Sequence, residues 1–202
     1  MRLYQMQDSG NCYKVRLMAR LLDLPLELVD VDILKGESRT DDFLARNPNG
    51  RVPTVEFEDG RTLPESNAIL FYLAEGSALL PDDRMARAQA LQWMFFEQYS
   101  HEPYIAVARF WQSIKPGGYE EKKDSFPYWH ERGYQALDVM ERHLSGHDWF
   151  AGGQYSIADI ALYAYTHVAH EGGFDLAPYK AIGRWMDRIR SEPGHVPMDW
   201  RP

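Results

Sequence analysis

The amino-acid sequence predicts a mixed α/β domain followed by an all-α domain. Three observations carry this: a strand–helix–strand opening, a hairpin that leads into a second helix, and the loss of strand signals after Pro81. Residues 2–5 read as a short strand, and the segment from about Asn11 to Asp23 sets Val15, Met18, Ala19 and Leu22 on one helical face. Leu24-Pro25 stops that helix, and Leu26 to Ile33 alternates apolar and acidic residues in strand fashion. After a polar stretch from Lys35 to Asn49, residues 52–63 read as two strands joined at Asp59-Gly60, a pair suited to a type I′ turn. Ser66 is expected to cap the helix that carries Ile69, Leu70 and Leu73. The first domain is thus βαβ followed by ββα.

From about Ala86 to Ile114 a long helical pattern runs, with Pro103 expected to kink it, and a second covers about Lys123 to Leu144. Ser156-Ile-Ala-Asp159 is the acidic form of a capping box and opens a third, while a last helix spans about Tyr179 to Arg190.

Composition excludes several function classes. The 22 Lys and Arg against 30 Asp and Glu leave a formal charge of -8, which repels a phosphate backbone or an anionic membrane surface, so neither nucleic acid nor membrane is an expected partner. No apolar run approaches the ~18 residues of a membrane span, and no leader is read at the start. The single cysteine, Cys12, excludes an internal disulfide and suits a reducing, cytoplasmic compartment. His167 and His170 lack the order and spacing of a metal motif, and no metal is expected.

The order of these elements, with Val52-Pro53 before the hairpin, Glu65-Ser66 at the next helix start and Ser156-Ile-Ala-Asp159 in the helical part, resembles the cytosolic glutathione S-transferases over essentially the whole chain. The loop Ser-Gly-Asn-Cys-x-Lys-Val-Arg looks like a bacterial subgroup of serine-type or disulfide-reductase-like members. The resemblance implies a thioredoxin-like, glutathione-binding domain over 1–76, a linker over 77–83 and an all-helical domain over 84–202 that lines the electrophile site. It also implies a homodimer. Glutathione would be a co-substrate beside a small electrophile, with no cofactor held permanently.

Glutathione presents an amine and a carboxylate at its γ-glutamyl end, and Glu65-Ser66 offers an acceptor beside a helix N-terminus for that pair, although Ser66 could serve as an N-cap alone. Val52-Pro53 matches the family step in which a cis proline aims the preceding backbone at the cysteinyl unit. For the glycyl carboxylate, Lys35, Asn49 and Arg51 lie in the loops before it. The chemistry needs a thiolate, since a free thiol has a pKa of about 8.5. Within the loop before the first helix, Ser9 matches the catalytic serine of serine-type members, Asn11 resembles an asparagine of disulfide-reducing ones, and Cys12 is a third candidate. Tyr4 is a further donor whose strand context favours core packing. Tyr99, His101, Tyr104 and Arg109 on the long helix are candidates for the second-substrate pocket. Three functions fit these residues: glutathione transfer to an electrophile, glutathione-dependent reduction of disulfides or peroxides, and a binding or scaffolding module without chemistry.

Overall fold

The computed structural model describes residues 1–202, in two units: Met1–Ser77 with Pro193–Pro202, and Ala78–Glu192. The helical domain expected over 84–202 therefore runs too far, because its last ten residues belong to the first unit.

The first unit contains β1 (Arg2–Gln5), α1 (Gly10–Leu21), β2 (Glu27–Asp30), α2 (Asp41–Arg46), β3 (Thr54–Glu56), β4 (Thr62–Pro64) and α3 (Ser66–Ala74). Its sheet has the order β2-β1-β3-β4, with β2 parallel to β1 and the other neighbours antiparallel. This is the thioredoxin-like arrangement. Successive side chains of β1 point to opposite faces, and the core divides accordingly. Leu3 packs with Val55, Val15 of α1 and Ile69 of α3. Tyr4 packs with Val31 and with Phe43 of α2. Central β1 thus holds helices on both sides of the sheet.

Three local expectations change. The polar stretch 35–49 contains α2, whose apolar anchors are too few to show a period; Thr40 caps it, its Oγ1 accepting from the Phe43 N–H at 3.3 Å. The turn at Asp59-Gly60 is not type I′, since only Gly60 has positive φ (82°). The Phe57 N–H donates to the Arg61 carbonyl and the Gly60 N–H to that of Phe57, the pattern of a three-residue loop with glycine in the left-handed position. Finally, Ser66 is the first residue of α3 and Glu65 is its N-cap.

The second unit contains α4 (Arg84–Phe96), α5 (Glu102–Arg109), α6 (Gly118–Lys122), α7 (Phe126–Leu144), α8 (Ile157–Thr166) and α9 (Lys180–Ser191). The single helix expected over 86–114 is α4 and α5 joined by a wide π turn at Glu97–His101, with a second at Phe110–Ile114. Pro103 explains the first. It has no N–H to donate back along the helix and its ring crowds the preceding turn, and the widened turn gives it room. No helix is long and apolar enough to cross a membrane.

The capping box at Ser156-Asp159 is present and does more than end a helix. Asp159 Oδ2 accepts from the Ser156 N–H (3.0 Å) and hydroxyl (2.9 Å), and Oδ1 accepts from the Phe150 N–H (3.1 Å) and Trp185 Nε1 (2.9 Å). One buried carboxylate ties the start of α8 to the preceding loop and to α9.

Asp159→Ala would strand three buried N–H donors, each costing about 1–3 kcal/mol when left unmade, so the loss is expected to exceed the ~1 kcal/mol of an ordinary cap. Urea unfolding checks this, and an unchanged midpoint would overturn it. Burial raises the Asp159 carboxyl from 3.8 to about 6 despite its four bonds. The folded state therefore holds this proton over a range where the unfolded chain has lost it. The resulting stability is full below about 3.8 and disappears as pH rises through about 6. Asp159→Asn is expected to flatten the stability profile across that window.

Candidate functional site

Strand register decides which loops meet. Tyr4 of β1 pairs with Thr54 of β3, and Thr54 with Pro64 of β4. Because β3 runs opposite to its two neighbours, the end of β1, the start of β3 and the end of β4 lie at one edge of the sheet. The segments just beyond are Met6–Ser9, Val52-Pro53 and Glu65-Ser66. The N-termini of α1 and α3 open at that same edge, presenting backbone N–H groups and partial positive charge. Ligands in α/β units gather at such strand ends.

The N-terminal end of α1 supplies the first group of side chains. Ser9 is its N-cap, and its Oγ accepts from the Cys12 N–H at 3.3 Å. Asn11 is half-buried, with Oδ1 accepting from the Ser66 hydroxyl at 3.1 Å. Cys12 is wholly buried, its Sγ accepting from the Met6 N–H at 3.4 Å. Burial pushes the Cys12 thiol up, outweighing the Ser9 contact, the Met6 N–H and the charge of Arg16 that act the other way. A nucleophilic cysteine needs access and a lowered pKa, and Cys12 has neither. Tyr4 is also committed elsewhere: it packs in the core and its hydroxyl donates to Glu56 at 2.8 Å.

At the start of α3, Glu65 is exposed and has φ 68°, ψ 109°, an uncommon conformation for a residue with a side chain. Its carbonyl still accepts the first helical bond, from the Ile69 N–H. Ser66 is buried and sits between two partners, donating to Asn11 and accepting from Lys14 Nζ at 3.4 Å. Lys14, which carried no role from sequence, is wholly buried and also donates to Asn67 Oδ1 at 3.3 Å. The available signal was that Lys14 directly precedes Val15 on the apolar face of α1; an ammonium is buried only where partners meet it.

The remaining glutathione-directed candidates divide. The Val52-Pro53 bond is cis, as the resemblance implies. Asn49 and Arg51 belong to a loop organised by Asn47, a buried residue passed over in the sequence. Asn47 Oδ1 accepts from the Asn49 N–H at 3.0 Å and Nδ2 donates to the Arg51 carbonyl at 2.8 Å. The Asn47-Pro-Asn-Gly50 run was its signal, a dense turn signature. Gly50 has φ 63°, and a Cβ there would meet Arg39 and the Ser38 carbonyl at 2.9 Å or closer, so only glycine fits. Lys35 stands apart, exposed and paired with Asp32 at 3.1 Å.

In the helical unit, the second-substrate candidates do not form one group. Tyr99 is 83% exposed, while His101 is wholly buried with Nε2 against Thr166 Oγ1 at 2.9 Å. Arg109 is buried and ion-paired with Glu171 at 2.7 Å, a bond inside the helical packing. Tyr104 meets Tyr128 edge-on under Arg132, with ring centroids 5.8 Å apart. The hydrogen bond from Arg132, followed by that from Tyr128, lowers the Tyr104 phenol below its ordinary value.

Comparison with known proteins covers both units. The family model described as Glutathione S-transferase, N-terminal domain, matches residues 3–79, and that described as Glutathione S-transferase, C-terminal domain, matches residues 88–193. A crystal structure of glutathione S-transferase from Pseudomonas fluorescens Pf-5 is 58% identical, with a TM-score of 0.95 and 98% of each chain covered. Disulfide-bond oxidoreductase YfcG of Escherichia coli strain K12 is 32% identical over 197 residues, 92% of this chain and 88% of that one. A glutathione transferase from Pseudomonas putida, with one glutathione disulfide bound per subunit, is 29% identical with a TM-score of 0.81, over 96% of this chain and 87% of that one.

The burial of Cys12 yields a direct test. The native protein is expected to resist aromatic disulfide reagents until it is unfolded, and Cys12→Ala to retain turnover. Rapid labelling of the folded protein, with loss of activity in step, would return Cys12 to the chemistry.

Proposed function

Since the chain belongs to the glutathione S-transferase family, we propose that it activates glutathione as a thiolate and transfers it to an electrophilic, largely apolar second substrate. In this reading Glu65 accepts from the γ-glutamyl ammonium, while the backbone N–H of Ser66 and the N-terminus of α3 receive the adjoining carboxylate, the Ser66 hydroxyl being held by Asn11. The Val52 backbone pairs with the cysteinyl unit, and Asn49, Arg51 and the more distant Lys35 serve the glycyl end. Ser9 donates its hydroxyl to the sulfur. The observation that carries the reading is the Ser9 cap: Oγ accepts from the Cys12 N–H, so its own hydrogen remains for an acceptor outside the helix. The thiolate attacks the electrophilic carbon, a C–S bond forms, and the leaving group departs with its electron pair.

A second reading, glutathione-dependent disulfide reduction, draws support from the name of the Escherichia coli relative and from the disulfide held by the Pseudomonas putida protein. Here a glutathione thiolate attacks a disulfide sulfur and expels a thiolate, and a second glutathione resolves the mixed disulfide, leaving oxidised glutathione and two thiols. Asn11 would then face the reacting sulfur. The buried Cys12 takes no part, so glutathione supplies both electrons.

The same reading takes the protein as a cytoplasmic homodimer. Phe95 and Tyr99, about one helical turn apart and 71% and 83% exposed, offer an apolar face for a second copy. Sedimentation of Phe95→Ala/Tyr99→Ala checks this, with dissociation expected.

Ser9→Ala is expected to lower turnover of a chlorinated nitroaromatic about 10- to 100-fold, the worth of one charge-assisted hydrogen bond of roughly 1.5–3 kcal/mol, while glutathione affinity stays within a few-fold. Losing that bond raises the pKa of bound glutathione, so the rate returns as pH climbs toward the free-thiol value of about 8.5. Wild-type rates in Ser9→Ala, with disulfide reduction lost in Asn11→Ala, would transfer the assignment to the second reading. Glu65→Ala is expected to weaken glutathione binding about tenfold or more, measured by calorimetry.

A further inference from the structure

Residues 193–202 lie against the first unit, and their contacts converge on the loop that carries Ser9. Arg16 of α1 is the hub. It is wholly buried, and its Nη2 donates to two carbonyls at once, that of Gln7 at 2.9 Å and that of Met198 at 2.7 Å. Its Nη1 donates to Gln5 Oε1. Around this hub, Gln7 Nε2 donates to the same Met198 carbonyl at 2.9 Å, and the Tyr13 hydroxyl to the Val196 carbonyl at 2.7 Å. Arg201 closes the set, donating to Asp30 at 2.8 Å and to Gln7 Oε1 at 3.0 Å.

Gln7 stands two residues before Ser9, and the Ser9 N–H donates to the Met6 carbonyl at 3.1 Å. The Met6–Ser9 backbone is therefore hung from Arg16 at Gln7 and joined to α1 at Ser9. The planar fork of Arg16 reaches Gln5 with one Nη and the Gln7 and Met198 carbonyls with the other, a spread that the single nitrogen of a lysine could not cover, while its Nε has no partner. Without the Met198 carbonyl, Arg16 would lose an acceptor it cannot replace with water, and its grip on the loop would loosen.

We propose that Arg16 is a positioning residue for the Ser9 loop and that residues 193–202 are the second half of its mount, so that docking of this segment aims the Ser9 hydroxyl. The functional half of this proposal rests on the reading of Ser9 as the thiol-activating group.

The test uses the full-length protein with Gln7→Ala/Arg201→Ala, which removes side-chain ties to the segment and leaves Arg16 and Ser9 in place. Arg16→Lys is a second variant, which keeps the charge and loses the fork. Both are expected to accelerate amide hydrogen exchange over residues 9–13. Turnover should fall about tenfold, as small misplacements of a reacting group do, with the pH profile displaced to the alkaline side and the glutathione KM unchanged. Added to Ser9→Ala, the double substitution is expected to displace the profile no further, because the two act through one hydroxyl. Unchanged exchange in the folded double variant would overturn the mount. Faster exchange with an unmoved pH profile, where Ser9→Ala does move it, would overturn the positioning role. If Ser9→Ala itself leaves the profile in place, the reading of Ser9 falls, and faster exchange in the double variant then still supports the mount.

Discussion

Burying a charged side chain obliges a fold to bring partners to it, and this constraint organises both units. Asp159, Lys14 and Arg16 are wholly enclosed. Removing any of them from water would cost several kcal/mol if nothing replaced the lost hydration. Asp159 is met by donors from a loop, a cap and α9, which fixes how the helices around it pack. Lys14 is met by Ser66 and Asn67, which joins α1 to the start of α3. Arg16 draws a distant segment of the chain onto the first unit. In each case a short-range demand for hydrogen bonds produces a long-range link.

The candidate site follows from that economy and from the sheet. Register brings three loop segments to one edge, while Lys14 and Asn11 hold the Ser66 hydroxyl from either side. Glu65 keeps a conformation that side-chain-bearing residues seldom adopt, between a strand end and a helix start that leave it little alternative. Such a position costs stability and is tolerated where the backbone must present its groups in one direction. The proposed recognition of a γ-glutamyl group would make use of that direction.

Fold and chemistry separate in this family. The relatives include a named transferase and a named disulfide oxidoreductase, and both are compatible with the same two units. The sealed Cys12 narrows the difference, because either reaction must then draw its reacting sulfur from glutathione. In the proposed readings, the choice between them rests on which polar group, Ser9 or Asn11, would face that sulfur. Both stand at the start of α1, where the helix dipole favours an anion in either case.

Much of the fold was legible in the sequence because it rests on local signals. The apolar period of α1, the stop at Leu24-Pro25 and the Ser156-Asp159 box each act within a few residues, and each marks its element. Where a segment is held by distant partners those signals fail. The short helix α2 hangs on the single buried Phe43, and the 193–202 segment, which ends no helix and starts no strand, is held by side chains some 180 positions away. The same division applies to the site. Sequence by itself determined that Ser9, Asn11, Cys12, Glu65 and Ser66 stand at helix starts, since capping is local. Only the tertiary structure decided that Cys12 turns inward, that Lys14 comes to Ser66, and that His101 and Arg109 are taken up by helix packing, because burial depends on what the rest of the chain brings to each side chain.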